Sequence, residues 1–212
     1  MGWTKERWDA EIGEVRKLYA EDPLNIYSES YYARRRKMRE WEMGAGKALS
    51  QALKIKSMVD FGCALGSYLE GTLQANTKYV LGIDIGYDRF KEYVPPYMRR
   101  FMRAGNVGEP IDCGKWDCAF SIEVAEHLLP EEEDVFVDNV IKASSRLIVV
   151  TAAYSFSYLH INAGKRPDYW ENKFIERGCE LLPKHKKKLQ EYWAGKCKGH
   201  IIKKVIVARP PL

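Results

Sequence analysis

Residues 57–73 restrict the fold more than any other stretch of this chain. Ser57-Met-Val-Asp-Phe61 is a short apolar run, the chain then turns through Gly62 and Gly66, and Tyr68 to Leu73 has the spacing of a helix start. A strand that stops at a glycine turn and re-enters as a helix leaves backbone N–H groups facing a crevice. A nucleotide-like ligand can approach the backbone there.

The pattern repeats along the chain. Lys78–Asp84 is an apolar run ending in a carboxylate, and further strands are predicted at Arg100–Ala104, Trp116–Ile122, Arg146–Ala152, near Cys179–Leu182 and at Ile201–Ala208. Between them the spacing predicts helices through Gln74, at Asp88–Tyr93, from Pro130 to Ser144, at Asp168–Arg177 and at 184–193. Strand and helix alternate, which makes the chain α/β with a mostly parallel sheet. Ahead of this lies an amphipathic helix carrying Trp3, Trp8, Ile12, Val15, Leu18 and Tyr19, ended by Asp22-Pro23. A second helix is expected over Ser28–Leu53, kinked or broken at Gly44 and Gly46. The basic run Arg34–Lys37 with Arg39, and the lysines at 184, 186, 187 and 188, read as solvated helix faces.

Composition narrows the function classes. The 212 residues suit one domain with a small appendage, and 46% hydrophobic with 30% charged residues is a globular balance. A net charge of +5 (34 Lys+Arg against 29 Asp+Glu) permits anionic substrates without diagnosing nucleic-acid binding. Cysteines 63, 113, 118, 179 and 197 form no C-x-x-C pair and no zinc spacing, as expected for reduced thiols. No apolar signal core or membrane-length run is seen, so a soluble, cytoplasmic protein is expected.

Two constellations carry chemistry. Gly62 and Gly66 are spaced G-x-x-x-G, a poor fit to the dinucleotide fingerprint G-x-G-x-x-G, which argues against a nucleotide-linked oxidoreductase. Asp84, 24 residues after Asp60, ends its strand where a carboxylate can accept from ribose hydroxyls; its ordinary alternative is a helix cap. In Ser121–Leu128, Glu123, Glu126 and His127 fall at i, i+3 and i+4, so a helical turn would gather them on one face at the sheet's carboxyl edge.

Three segments together, VDFGCALG, Gly82-Ile83-Asp84 and WDCAFSIEVAEHL, resemble class I S-adenosylmethionine-dependent methyltransferases over about residues 55–152. The resemblance implies a Rossmann-like, doubly wound seven-stranded sheet, mostly parallel with an antiparallel last strand, plus N-terminal helices. Residues 1–54 would be a helical extension or lid and 55–212 the methyltransferase domain. S-adenosylmethionine would then meet Asp60, Gly62, Cys63, Ala64, Gly66, Asp84, Ile85, Asn106, Val107 and Ile122. Ala64 departs from the commoner glycine, and Asn106 from the commoner aspartate that accepts from the adenine amino group.

The E-x-x-E-H segment is similar to one that binds a divalent ion in small-RNA 2′-O-methyltransferases and some quinone-pathway O-methyltransferases. Glu123, Glu126 and His127, with His160 as a fourth, are therefore candidate metal ligands. The same segment also recurs in methyltransferases without metal, where Glu123 would orient ligand and His127 or His160 would take a proton. Asn162, Arg166 and Tyr169, on the same sheet edge, are candidate substrate contacts. The reading that follows is O-methylation of a small-molecule or sugar-like acceptor. Its alternatives are a metal-dependent RNA or nucleotide 2′-O-methyltransferase and a non-catalytic cofactor-binding or assembly protein. Nucleic acid is the less favoured partner, no membrane is expected, and nothing in the sequence fixes an oligomeric state.

Overall fold

Strand β1 (Ser57–Phe61) pairs on both sides within a seven-stranded sheet, in a computed structural model that describes residues 4–157, 159–166 and 168–211. Its neighbours are β2 (Tyr79–Asp84) and β4 (Trp116–Ile122). Beyond them lie β3 (Met102–Ala104) at one edge and β5 (Ser144–Thr151), β7 (Ile206–Arg209) and β6 (Glu180–Leu181) towards the other. The order is β3-β2-β1-β4-β5-β7-β6. Strands β1 to β5 pair in parallel, and β7, the last in sequence, runs antiparallel to both β5 and β6. Sequence order reverses between β1 and β4, so a crevice opens at the carboxyl ends of these strands.

The central strands β1, β4, β5 and β7 carry apolar residues on both faces, as a sheet covered by helices requires. Met58, Phe120, Val149 and Val207 point into one layer, while Val59, Ala119, Val150 and Ile206 point into the other. The first layer is covered by α3 (Arg39–Leu53), α4 (Ser67–Gln74) and α8 (Pro183–Trp193), the second by α6 (Glu133–Ala143) and α7 (Tyr169–Ile175).

The N-terminal region departs from expectation. The break falls at Met38, between α2 (Glu29–Lys37) and α3, and α3 runs unbroken through Gly44 and Gly46. Gly46 is a packing residue: a Cβ there would lie 2.2 Å from Tyr68 O, and one on Gly71 of α4 would lie 2.0 Å from Met43 O. The two backbones touch, and the Trp193 indole N–H of α8 donates to Ala45 O at 3.0 Å. Residues 39–53 thus belong to the helical layer of the sheet. Ahead of it lie α1 (Lys5–Glu21) and α2, whose Tyr32 packs into the same core. Helix α1 lays Ile12, Val15 and Tyr19 against Ile26 and Ile161, and Trp3 lies outside the described residues.

The tail differs as well. Residues 201–204, expected in the final strand, lie in α9 (Gly199–Lys204). Ile201 and Val205 are both buried, four residues apart, which is helical spacing; the β-branched run disguised it.

The two glycines of α3 separate packing from propensity. Nothing lies within 4 Å of a Cβ on Gly44. Gly44→Ala is expected to stabilise the fold by about 0.5–1 kcal/mol, and Gly46→Ala to destabilise it by about 1–3 kcal/mol. Urea unfolding of the two variants checks this, and effects of the same sign would contradict the close crossing of α3 and α4.

Candidate functional site

The loop after β1 holds three left-handed residues in five: Gly62 (φ 77°), Ala64 (φ 47°) and Gly66 (φ 74°). The N–H groups of Gly62 and Cys63 donate to Ile83 O at 2.8 and 3.2 Å, which ties the loop to β2. Ala64 lacks glycine's freedom in this conformation. Its N–H is held by Asp84 Oδ2 at 2.7 Å.

Asp84 ends β2 and is buried. Its Oδ1 accepts from Gly86 N–H at 2.9 Å and from the Tyr32 hydroxyl at 3.0 Å. Burial raises this carboxyl's pKa, against the lowering effect of those donors and of Arg35. Tyr32 arrives from α2 and stacks on Phe90 with centroids 4.1 Å apart. A Cβ on Gly86 would sit 1.9 Å from the Tyr32 hydroxyl oxygen, so glycine is what admits the tyrosine.

These groups border a cavity of about 290 Å³ at the carboxyl edge of the sheet. Of the residues expected around S-adenosylmethionine, Gly62, Ala64, Asp84, Ile85, Asn106, Val107 and Ile122 line it. Asp60, Cys63 and Gly66 stand behind the wall. Burial and the neighbouring Asp84 push the Asp60 carboxyl well above its ordinary range, and Cys63 fills the space over Gly82. The Asn106 side-chain oxygen already accepts from Gly108 N–H at 3.0 Å and retains one lone pair.

Glu123, Glu126, His127 and His160 line the same cavity, but not on one helical face. Glu123 is left-handed (φ 54°), and Ala125–His127 is a single 3₁₀ turn. Glu123 therefore turns aside, accepting from the Thr151 hydroxyl at 3.0 Å and facing Lys204 Nζ and His200 Nε2 at 3.7 and 3.8 Å. Glu126, His127 and His160 do converge, with donor atoms within 4.8 Å of one another.

Their protonation follows from burial. Neither oxygen of the fully buried Glu126 has a hydrogen-bond partner among the described residues. Desolvation, then Glu123, raises its pKa; the amides of Glu126 and Ala153, near but outside hydrogen-bond geometry, and Lys204 offset this in part. Desolvation, then His160, lowers His127 to about 3, and desolvation lowers His160 as well. His127 Nδ1 lies 2.6 Å from Leu159 O and His160 Nδ1 2.6 Å from Ser155 O. A carbonyl only accepts, so each neutral ring carries its proton on Nδ1 and keeps a lone pair on Nε2.

The expected substrate contacts are not in the cavity wall. The Asn162 amide and the Tyr169 hydroxyl both donate to Glu133, which also pairs with Lys165 and Lys173 at 3.2 and 2.9 Å. Arg166 pairs with Asp168 on the surface at 2.7 Å. Asn162 still serves the site, since its backbone N–H donates to Glu126 O at 2.9 Å.

Sequence reasoning missed the wall contributed by α2 and its approach: Tyr27, Tyr31, Tyr32, Arg34 and Arg35 all line the cavity. Arg35 pairs with Glu42 at 2.7 Å, and its buried Nε has no partner among the described residues. The signal was the spacing Tyr27, Tyr31, Arg34/Arg35, Met38, one helical stripe that the basic run concealed.

No protein-family model matches this sequence, and no curated protein does. Solved structures do. An O-methyltransferase family protein from Burkholderia thailandensis superposes with a TM-score of 0.62 at 9% identity, over 96% of this chain and 68% of that one. The plantazolicin methyltransferase BpumL, solved with SAH, gives 0.57 at 11% identity over 98% and 99%. The small RNA methyltransferase HEN1 gives 0.52 at 20% identity, over 65% of this chain and 22% of its own. The chain has the fold of class I S-adenosylmethionine-dependent methyltransferases. Among the described residues no helix is long and apolar enough to cross a membrane.

The depressed His127 predicts a pH dependence of stability. An unfolded histidine binds its proton near pH 6.5, the folded one only near 3. Between these values the unfolded chain holds more protons, so this residue's contribution is lost as pH falls from about 6.5 towards 3. Glu126, with a raised pKa, acts in the opposite sense. Urea unfolding across this range is expected to show a shallower acid loss in His127→Gln than in the parent; identical slopes would refute the assignment.

Proposed function

We propose that this chain is an S-adenosylmethionine-dependent methyltransferase acting on an oxygen of a small-molecule or sugar-like acceptor. The observation that carries the reading is a juxtaposition: the Gly62–Gly66 loop and Asp84 share one cavity with Glu126, His127 and His160. In this reading Asp84 accepts the ribose hydroxyls, with the Tyr32 hydroxyl giving way, and Asn106 and Val107 flank the adenine. Arg35 takes the methionine carboxylate through its unpartnered Nε.

When bound, the cofactor supplies a sulfonium methyl group open to in-line displacement. The chain's tasks are to orient the acceptor and exclude water. The acceptor hydroxyl has one proton to donate and directs it to Glu126, with the rings of His127 and His160 as the walls that position it. Burial raises the proton affinity of Glu126 and lowers theirs, so the hydroxyl proton passes to the Glu126 carboxylate. Glu123, held by the Thr151 hydroxyl, fixes the left-handed turn that leads into Glu126 and His127.

Calorimetry tests the cofactor assignment. S-adenosylmethionine is expected to bind, and Asp84→Ala to weaken it by about 1–3 kcal/mol through loss of charged hydrogen bonds. Unchanged affinity removes the ribose role, and tighter binding of NAD reverses the class. Cofactor binding with no labelled methyl transfer to any cell-extract fraction would leave a non-catalytic binding protein.

A second reading adds a divalent ion at Glu126, His127 and His160, as in a metal-dependent RNA or nucleotide 2′-O-methyltransferase. The donor set fits. A buried carboxylate lacks partners, and each imidazole has its Nδ1–H committed to a backbone carbonyl, the arrangement that orients histidines towards metals. One oxygen and two nitrogens favour Mn, Co, Zn or Fe over Ca, and such an ion would lower the hydroxyl pKa. Purified protein is then expected to hold about one equivalent of metal, absent from a Glu126→Ala/His127→Ala variant. Full activity in chelator would eliminate this reading.

A further inference from the structure

We infer that the methyl acceptor is an anionic small molecule, its carboxylate or phosphate lying against Arg34 and Lys198 in the cavity wall while its hydroxyl reaches Glu126. This rests on the methyltransferase reading and adds the chemical class of the acceptor.

Most charges of the cavity wall are already matched. Arg35 is paired with Glu42, Asp84 accepts three hydrogen bonds, and Glu123 accepts from Thr151 and faces Lys204 and His200. Three charged side chains of the wall remain. Glu126 has no donor, and neither Arg34 nor Lys198 makes an ion pair within 4.0 Å among the described residues, Lys198 being attracted to Glu42 only through space. Both cations sit over rings, Arg34 at 5.8 Å from the Tyr31 centroid and Lys198 at 5.9 Å from that of Trp41. A ring face holds a cation in place without engaging its N–H donors, so these donors stay available to a ligand.

The two ends are joined by one wall. From Arg34 the rings run Tyr31, Tyr27, His127, His160, with successive centroids 5.3, 6.1 and 5.2 Å apart after the 5.8 Å cation contact. A ligand laid along this row meets the Arg34 cation at one end, aromatic faces in the middle and proton acceptors at the other end, with Lys198 in the same cavity wall. A cationic acceptor would be repelled by these side chains, and a neutral one would leave both cations unmatched.

Labelled-methyl transfer tests this with the acceptor still unidentified. The protein is incubated with labelled S-adenosylmethionine and cell extract freed of macromolecules, and the labelled product is passed over anion exchanger at neutral pH. Retained label is expected; release of that label by phosphatase marks a phosphate and persistence a carboxylate. The Arg34→Gln/Lys198→Gln variant alters two exposed side chains, and thermal unfolding checks its fold. It is expected to raise the acceptor KM at least about tenfold, the loss of one charged hydrogen bond, with S-adenosylmethionine affinity unchanged. Label in the flow-through, an unchanged KM, or a matching loss of S-adenosylmethionine affinity overturns the inference, the last by giving the cations to the cofactor. Label found only in macromolecules of whole extract also overturns it. Failure to bind S-adenosylmethionine, or binding without transfer to any fraction, overturns the methyltransferase reading and this inference with it.

Discussion

The Asp84 carboxylate organises the site. Through three accepted hydrogen bonds it joins the loop after β1, the chain leaving β2 and the N-terminal helix α2. Each donor solves a different local problem. Ala64 is kept in a left-handed conformation that an L-residue otherwise disfavours. Gly86 begins the turn out of β2, and Tyr32 docks an element far away in sequence. Burial raises the proton affinity of Asp84, and the three donors and Arg35 offset that rise in part.

The opposite wall is arranged by the same physics without those donors. Glu126 receives no hydrogen bond, and desolvation moves its proton affinity up while moving that of the two imidazoles down. The carboxyls of Asp84 and Glu126 are both buried in one cavity, yet only one is supplied with donors. A buried acceptor left without partners is costly, and such groups concentrate where a ligand completes them. The left-handed Glu123 belongs to this pattern, since its backbone turn carries Glu126 and His127 into the cavity.

Much of the fold was legible because its signals are local. Trp116–Ile122 reads as a strand and is one, and the Gly62–Gly66 turn, the carboxylate ending β2 and the helix following Pro130 all lie where their spacing places them. The failures share a cause. Gly46 looked like a helix breaker because its packing partner, Tyr68 O, is distant in sequence. Residues 201–204 looked like a strand because β-branched composition outweighed the Ile201–Val205 spacing. Glu123 was grouped with Glu126 and His127 on the premise of an α turn, which a single left-handed residue abolishes.

The sequence by itself determined the alternating strands and helices, the glycine turn and the acidic residue that follows it, since these depend on neighbours within a few positions. Tertiary structure alone decided which polar residues share the cavity. It brought Tyr32 to Asp84 and Arg34 and Lys198 to one cavity, placed His160 against His127, and withdrew Asn162 and Tyr169 to Glu133. These contacts span tens of residues, and their partners are set by the packing of α1 and α2 on the sheet edge, which no local periodicity encodes. The proton affinities also belong to the tertiary structure, because burial and not residue type moves Glu126 up and His127 down.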